Sequence, residues 1–180
     1  MKKLILFGDS LLGRFSKNPI NRLEKILDYN YDVYNFAAGG WDSSDGLKKA
    51  NYISSFAPEL VIICFGMNDA APWKRVELDK YDANIRGILE EFRNSRIVFF
   101  LPPPINEAKQ IGENKRDNET IKNYHDAAKQ ACIEKGVDNI DLWPILVSML
   151  ENGGDYTIEG GVHFNDAGYE KLFEAIKETV

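Results

Sequence analysis

The sequence predicts an α/β fold, a three-layer α/β/α sandwich built on a five-stranded parallel sheet in the order 2-1-3-4-5. Three observations carry that prediction. Short apolar runs recur along the chain, and between them lie longer stretches whose apolar residues fall at helical spacing. The run Leu60–Phe65 is apolar throughout, as a strand covered on both faces of a sheet requires. Turn residues such as Gly8, Gly39-Gly40, Gly66 and Pro102-Pro103-Pro104 close the runs abruptly. Strands separated by helices connect through right-handed crossovers, which lay the strands parallel and place helices on both faces.

Taken in order, Lys3–Phe7 reads as the first strand, and Pro19 opens a helix with Ile20, Leu23, Ile26 and Leu27 on one face. Asp32–Phe36 is the second strand. The loop Ala37–Asp42 leads into a helix over Ser43–Phe56, with Ser43 or Ser44 as the expected N-cap, and Pro58 ends it. Leu60–Phe65 is the third strand. A long helix over about Val76–Asn94 turns Tyr81, Ile85, Ile88, Leu89 and Phe92 toward the sheet. Arg96–Leu101 is the fourth strand, and three consecutive prolines forbid its continuation. After a loop to about Asn114 comes a helix to about Lys135, then a weak fifth strand, Asp138–Leu142. A short segment from Pro144, a glycine-rich loop Glu151–Asn165 and a final helix Asp166–Thr179 complete the chain.

With 180 residues, 44% of them hydrophobic, the chain is long enough for one domain, spanning 1–180, with a substantial core. Its 22 Lys and Arg against 28 Asp and Glu are scattered without forming a basic stripe, so no nucleic-acid partner is expected. Lys2-Lys3 before Leu4–Phe7 imitates the start of a signal peptide, but the apolar run is too short to serve as one, and no run suffices for a membrane anchor. Cys64 and Cys132 read as buried free thiols without a disulfide pattern. The expectation is a cytoplasmic protein; the sequence gives no indication of its oligomeric state.

In an open parallel sheet, ligands bind outside the carboxyl ends of the strands, at the point where strand order reverses. With strand one beside strand three, that crevice receives Gly8-Asp9-Ser10, Gly39-Gly40 and Gly66-Met67-Asn68-Asp69. A serine there is well placed for nucleophilic chemistry, which requires an adjacent base. The chain has two histidines. His125 lies in a helical stretch and reads as solvated or capping. His163 lies in an irregular segment that returns to the same edge. The backbone N–H of Gly40 and the side-chain amide of Asn68 are the available oxyanion donors. Each residue alone has an ordinary structural explanation; their convergence on one crevice does not.

The blocks Gly8-Asp9-Ser10-Leu11, Asn35-Phe-Ala-Ala-Gly-Gly40, Gly66-Met-Asn68-Asp69 and Val162-His163-Phe-Asn165 resemble, in order, the four signature blocks of the GDSL, or SGNH, hydrolase family. Phe65-Gly-Met-Asn-Asp-Ala70 and Leu101-Pro-Pro-Pro-Ile-Asn106 further resemble its isoamyl-acetate-hydrolysing branch. The resemblance implies a serine esterase or acylhydrolase with the SGNH hydrolase fold; no cofactor is expected, and two distant histidines with thiols in core-like segments give no metal-ligand spacing. By this resemblance Ser10 is the nucleophile and an oxyanion donor, Gly40 and Asn68 are the other donors, and His163 is the base. Asp9 and Asp69 would hold their loops by accepting backbone hydrogen bonds, and Asp166 would cap the last helix.

One position departs from the family pattern. The aspartate expected three residues before the histidine is replaced by Gly160. Glu159 is the leading candidate to orient His163 in its place, with Asp155 or a backbone carbonyl as alternatives. Around the serine, Leu11, Trp41, Met67 and Phe164 are the expected substrate-binding residues, whereas the more distant Trp73 and Ile105 read better as packing. The expected substrate is a small, short-chain ester. Two alternatives stand beside this reading. A catalytically impaired relative that binds an ester-bearing ligand is suggested by Gly160. A phosphate- or flavin-binding module is suggested by Gly8-x-x-x-x-Gly13, but Arg14 and Phe15 occupy the positions where a phosphate loop needs Lys and Ser or Thr.

Overall fold

The computed structural model describes residues 2–180. Its elements run β1 (Lys2–Gly8), α1 (Ser10–Gly13), α2 (Lys17–Ile26), β2 (Tyr31–Asn35), α3 (Ser43–Ser54), β3 (Leu60–Cys64), α4 (Leu78–Glu91), β4 (Arg96–Phe100), a 3-10 turn (Glu107–Lys109), α5 (Asn118–Lys135), β5 (Asp138–Ile140), α6 (Trp143–Glu151) and α7 (Asp166–Thr179). All five strands pair in parallel in the order β2-β1-β3-β4-β5, as the sequence predicts.

The reason lies in the apolar strands. Leu4–Phe7 of β1 and every residue of β3 are buried, so both faces of the sheet centre must be covered. A fully buried Leu or Ile contributes about 1.5–3 kcal/mol relative to exposure, and the centre of the sheet concentrates several of them. On one side α3, α4 and α5 stand in a row. Asn84 Nδ2 donates to Ser43 Oγ at 2.9 Å between the first two, and Arg86 bonds Glu134 at 2.6 Å between the last two. On the other side α2 meets α7, where Arg22 bonds Glu170 and its guanidinium lies 4.6 Å from the ring centre of Phe173.

Gly8 illustrates how closely the strands approach at the carboxyl edge. It pairs with Cys64 across β1 and β3, and a Cβ there would lie 2.3 Å from the Cys64 carbonyl oxygen. No larger residue fits without parting the strands at the point where the chain turns toward Ser10.

Three local expectations are corrected, and a segment left without an assignment, the one from Pro144, takes a definite form. The N-cap of α3 is Asp42, whose side chain accepts from Ser44 N and Asp45 N while Asp45 reaches back to the Asp42 N–H, a reciprocal capping box. The N-cap of α7 is Asn165, which accepts from Gly168 N, so Asp166 is already the first helical residue. The segment around Pro144 is a true helix, α6, with proline in its first turn, where its missing N–H costs nothing. His125 is neither solvated nor capping: it is 2% exposed, its Nδ1 lies 3.0 Å from the Pro102 carbonyl oxygen, and its ring packs edge-on against Trp143. Cys64 and Cys132 are buried and unpaired with each other, as expected. No described helix is long and apolar enough to cross a membrane.

Candidate active site

Where β1 ends, the chain turns directly into the one-turn helix α1. Asp9 caps it, its Oδ1 accepting from Leu11 N at 2.9 Å, and Ser10 becomes the first helical residue. An N–H at that position has no acceptor within its own helix. The second strand end delivers Gly39 and Gly40 alongside: a Cβ placed on Gly39 would stand 3.9 Å from Ser10 Cβ, and Gly40 has φ +80°. From the third strand end, Asn68 Nδ2 donates to the Trp41 carbonyl at 2.8 Å, which joins it to the residue after Gly40. Asp69 braces this junction by accepting the Ser43 N–H on both oxygens, at 3.0 and 3.1 Å.

His163 arrives from the far end of the chain. Its Nε2 lies 2.8 Å from Ser10 Oγ, across 153 residues of sequence. The loop that carries it is a tight hairpin: Ile158 N donates to His163 O at 2.9 Å, and Gly161 N donates to Ile158 O at 3.1 Å. Gly160 and Gly161, with φ of +85° and +72°, make the turn possible, and a Cβ on Gly161 would strike the Asn106 carbonyl at 2.2 Å. Asn106 N donates to Gly161 O at 2.8 Å, and Gln110 bonds the Gly160 carbonyl, so the loop after β4 holds the hairpin from outside.

Glu159 is exposed on the turn, and among the described residues it makes neither hydrogen bond nor ion pair with His163. Asp155 is committed elsewhere: it pairs with Lys109 and accepts from Thr157 N at 3.0 Å and Thr157 Oγ1 at 2.8 Å. These bonds hold its carboxyl well below the usual range despite the opposing cost of desolvation. Nor does a backbone carbonyl bond the ring; Ser10 is its only hydrogen-bond partner among the described residues. Because its side chain stands apart from the imidazole, Glu159→Gln is expected to change ester turnover less than about threefold, measured as kcat/KM on an aryl acetate. A loss of tenfold or more would place the carboxylate on His163 after all.

The electrostatics follow from burial. Desolvation lowers the His163 pKa to about 4, and the positive charges of Arg14 and Arg116 push in the same direction. Asp9 is fully buried and raised to about 7, chiefly by desolvation and further by repulsion from Asp69, against the Leu11 hydrogen bond and the attraction of Arg116. Its Oδ2 has no hydrogen-bond partner among the described residues. Asp69 is raised to about 6, again mainly by desolvation, with Asp42 adding repulsion and Ser43 hydrogen bonds opposing.

Beside His163 opens a cavity of about 270 Å³ lined by Trp73, Ile111, Arg116, Glu159, Val162 and His163, among others. Three of the expected substrate-binding residues do not reach it. Leu11, Met67 and Phe164 are buried, Phe164 within an aromatic cluster with Phe100, Tyr156 and Tyr169. Trp41 is half-buried outside the cavity, under the Lys49 ammonium at 4.7 Å. Ile105 is packed, as expected, but Trp73 is 55% exposed and forms a wall of the cavity. Arg116 gave no signal in the sequence, being a loop arginine outside every motif. A larger cleft, about 550 Å³ around Asn51, Glu59 and Ser95, lies at the opposite, amino-terminal edge of the sheet, away from Ser10.

Likenesses to known proteins extend over nearly the whole chain. Residues 6–171 match the GDSL-like lipase/acylhydrolase family. A mouse protein described as isoamyl acetate-hydrolyzing esterase 1 homolog is 30% identical over 95% of this chain and 78% of its own length. The GDSL esterase/lipase CPRD49 of Arabidopsis thaliana is 27% identical over 98% of this chain and 79% of its own. Among solved structures, a lipase/acylhydrolase from Enterococcus faecalis superposes with a TM-score of 0.86 at 24% identity, covering 99% of this chain and 94% of that one. The acetyl xylan esterase AlAXEase superposes with a TM-score of 0.84 at 21% identity, covering 99% of each. These last two likenesses speak to the fold.

Proposed function

The chain belongs to the GDSL-like lipase/acylhydrolase family, a family of ester-cleaving enzymes, and from that premise we propose that it hydrolyses small, short-chain carboxylic esters through an acyl-enzyme on Ser10. The observation that carries this reading is the 2.8 Å approach of Ser10 Oγ to His163 Nε2. In the proposed cycle the Ser10 hydroxyl attacks the ester carbonyl while His163 Nε2 takes its proton. The carbonyl oxygen, now an oxyanion, receives hydrogen bonds from the backbone N–H groups of Ser10 and Gly40 and from Asn68 Nδ2. The tetrahedral intermediate collapses, the C–O bond breaks, and His163 returns the proton to the departing alcohol. Water then attacks the acyl-enzyme, giving its proton to His163, and the acid is released as Ser10 recovers its own.

The base in this reading works without a carboxylate behind it. A serine triad deprived of its acid loses about 10⁴ in turnover yet still outpaces water, so the protein is read as a slow esterase rather than an inert binder. Its imidazole is a weak base near pKa 4, and Arg14 and Arg116 disfavour the imidazolium formed as the proton moves. Good leaving groups should therefore be favoured.

The short-chain preference rests on the cavity of about 270 Å³, below the range of about 300–1,000 Å³ common for drug-sized ligands. It accords with the acetate ester named in the mouse relative's description. An aryl-ester series from acetyl to dodecanoyl tests it: kcat/KM should peak at two to four acyl carbons. Activity climbing steadily toward the long chains would contradict the proposal.

A further inference from the structure

Arg116 lies just before α5, at the end of the long loop that follows β4, and its side chain reaches back to the third strand end. Nε donates to the Met67 carbonyl at 3.1 Å and Nη2 donates to Asn68 Oδ1 at 3.2 Å, so one fork grips two consecutive residues. The guanidinium carbon lies 4.6 Å from the ring centre of Trp73, and the Arg116 backbone N–H donates to Gln110 Oε1 at 3.2 Å. An arginine held by a planar fork, an aromatic face and a backbone bond has little freedom left.

We propose that Arg116 is a positioning residue that locks the Asn68 amide with its nitrogen toward the oxyanion and sets a positive charge behind that donor. The inference rests on the reading of Asn68 as an oxyanion donor. An asparagine side chain fits either way round, but only one way is useful: the reversed amide would present its oxygen to a developing negative charge. Guanidinium can only donate and a backbone carbonyl can only accept. Arg116 therefore requires Oδ1 on its side, and the Trp41 carbonyl requires Nδ2 on the other. One amide hydrogen is used by Trp41, which leaves the second for substrate. Without Arg116 the amide keeps only the Trp41 bond to define its orientation.

The charge has a second consequence. The charged and titratable groups around this point are Asp9, Asp69, Arg14, Glu159 and His163. Arg116 attracts Asp9 and repels the protonated form of His163. Removing it should raise the His163 pKa, moving the acid limb of the rate profile to higher pH. A residue that merely filled space would leave that limb in place.

The test is a double-mutant cycle of Arg116→Met and Asn68→Ala on an aryl acetate, with full pH profiles and Ser10→Ala as control. Arg116→Met should lower kcat about 10- to 100-fold with KM changed less than about threefold, a part of the 10²–10³ expected for losing an oxyanion donor outright. In the Asn68→Ala background the same substitution should cost less than about threefold. Arg116→Lys, which keeps the charge and most of the stem, should recover part of kcat and hold the acid limb, and it serves as the probe if the methionine variant does not fold. Equal losses in both backgrounds would overturn the proposal, as would a raised KM at unchanged kcat. Failure of the esterase reading itself would appear elsewhere, as undiminished turnover in Ser10→Ala.

Discussion

Ser10→Ala is expected to lower kcat/KM on 4-nitrophenyl acetate by about 10²-fold, the part of a triad's effect that remains once its acid is already missing, with the melting temperature unchanged within about 2 °C. The substitution removes one hydroxyl from a half-buried side chain whose hydrogen bond is to His163. It leaves Asp9 capping α1, the Gly8 approach to Cys64 and every strand pairing intact. Stability therefore has little to lose, and covalent chemistry has everything. Measuring both quantities on the same preparation separates a chemical defect from a folding one.

His163→Ala should cost a comparable factor, and the double variant with Ser10→Ala should be no slower than either single one, because the two residues act as a unit. The intact base also fixes a pH signature. His163 accepts a proton only when neutral, which requires a pH above its pKa. Burial together with Arg14 and Arg116 lowers that pKa to about 4, so the acid limb of kcat/KM, which reports the free enzyme's base, should fall near pH 4. Activity should thus persist at pH 5, where an ordinary histidine would be mostly protonated. A midpoint near 6.5, the ordinary histidine value, would mean that a negative charge stands close to the ring in solution, and Glu159 would be the first residue to examine.

The frame of the fold was legible because the signals were local. Leu60–Cys64 is uniformly apolar, and β1 breaks at Gly8 into charged and polar residues, so strand identity and the edge holding the site could both be read from residue type. Helix caps were less legible. Asp42 and Ser43 are both good cap formers, and only the reciprocal bond with Asp45 distinguishes them. The segment from Pro144 carried no assignment, because residue type alone does not show that its proline falls in a first helical turn. His125 looked solvated because its partners, Pro102 and Trp143, come from separate segments.

The same division runs through the site. Ser10, Gly40, Asn68 and His163 each sit at a strand end or in a motif, and the structure brings them to one edge. Glu159 was one residue from the expected acid, but the left-handed pair Gly160-Gly161 turns the hairpin so that the carboxylate stays exposed. Leu11, Met67 and Phe164 adjoin catalytic candidates in sequence and point into the core instead. Trp73 and Arg116, remote from those motifs, line the cavity. Sequence motifs located the residues that meet at this edge better than the walls around them, because walls depend on which way a loop turns.

Covalent labelling reports whether Ser10 is a nucleophile activated by His163 with no carboxylate behind the ring. Wild-type protein and Ser10→Ala are treated with a fluorophosphonate at pH 7 and followed by intact mass and peptide mapping. One adduct per chain is expected, carried on the peptide that contains Ser10 and absent from the alanine variant. An unmodified wild-type protein, or an adduct that survives Ser10→Ala, would contradict Ser10 as the nucleophile.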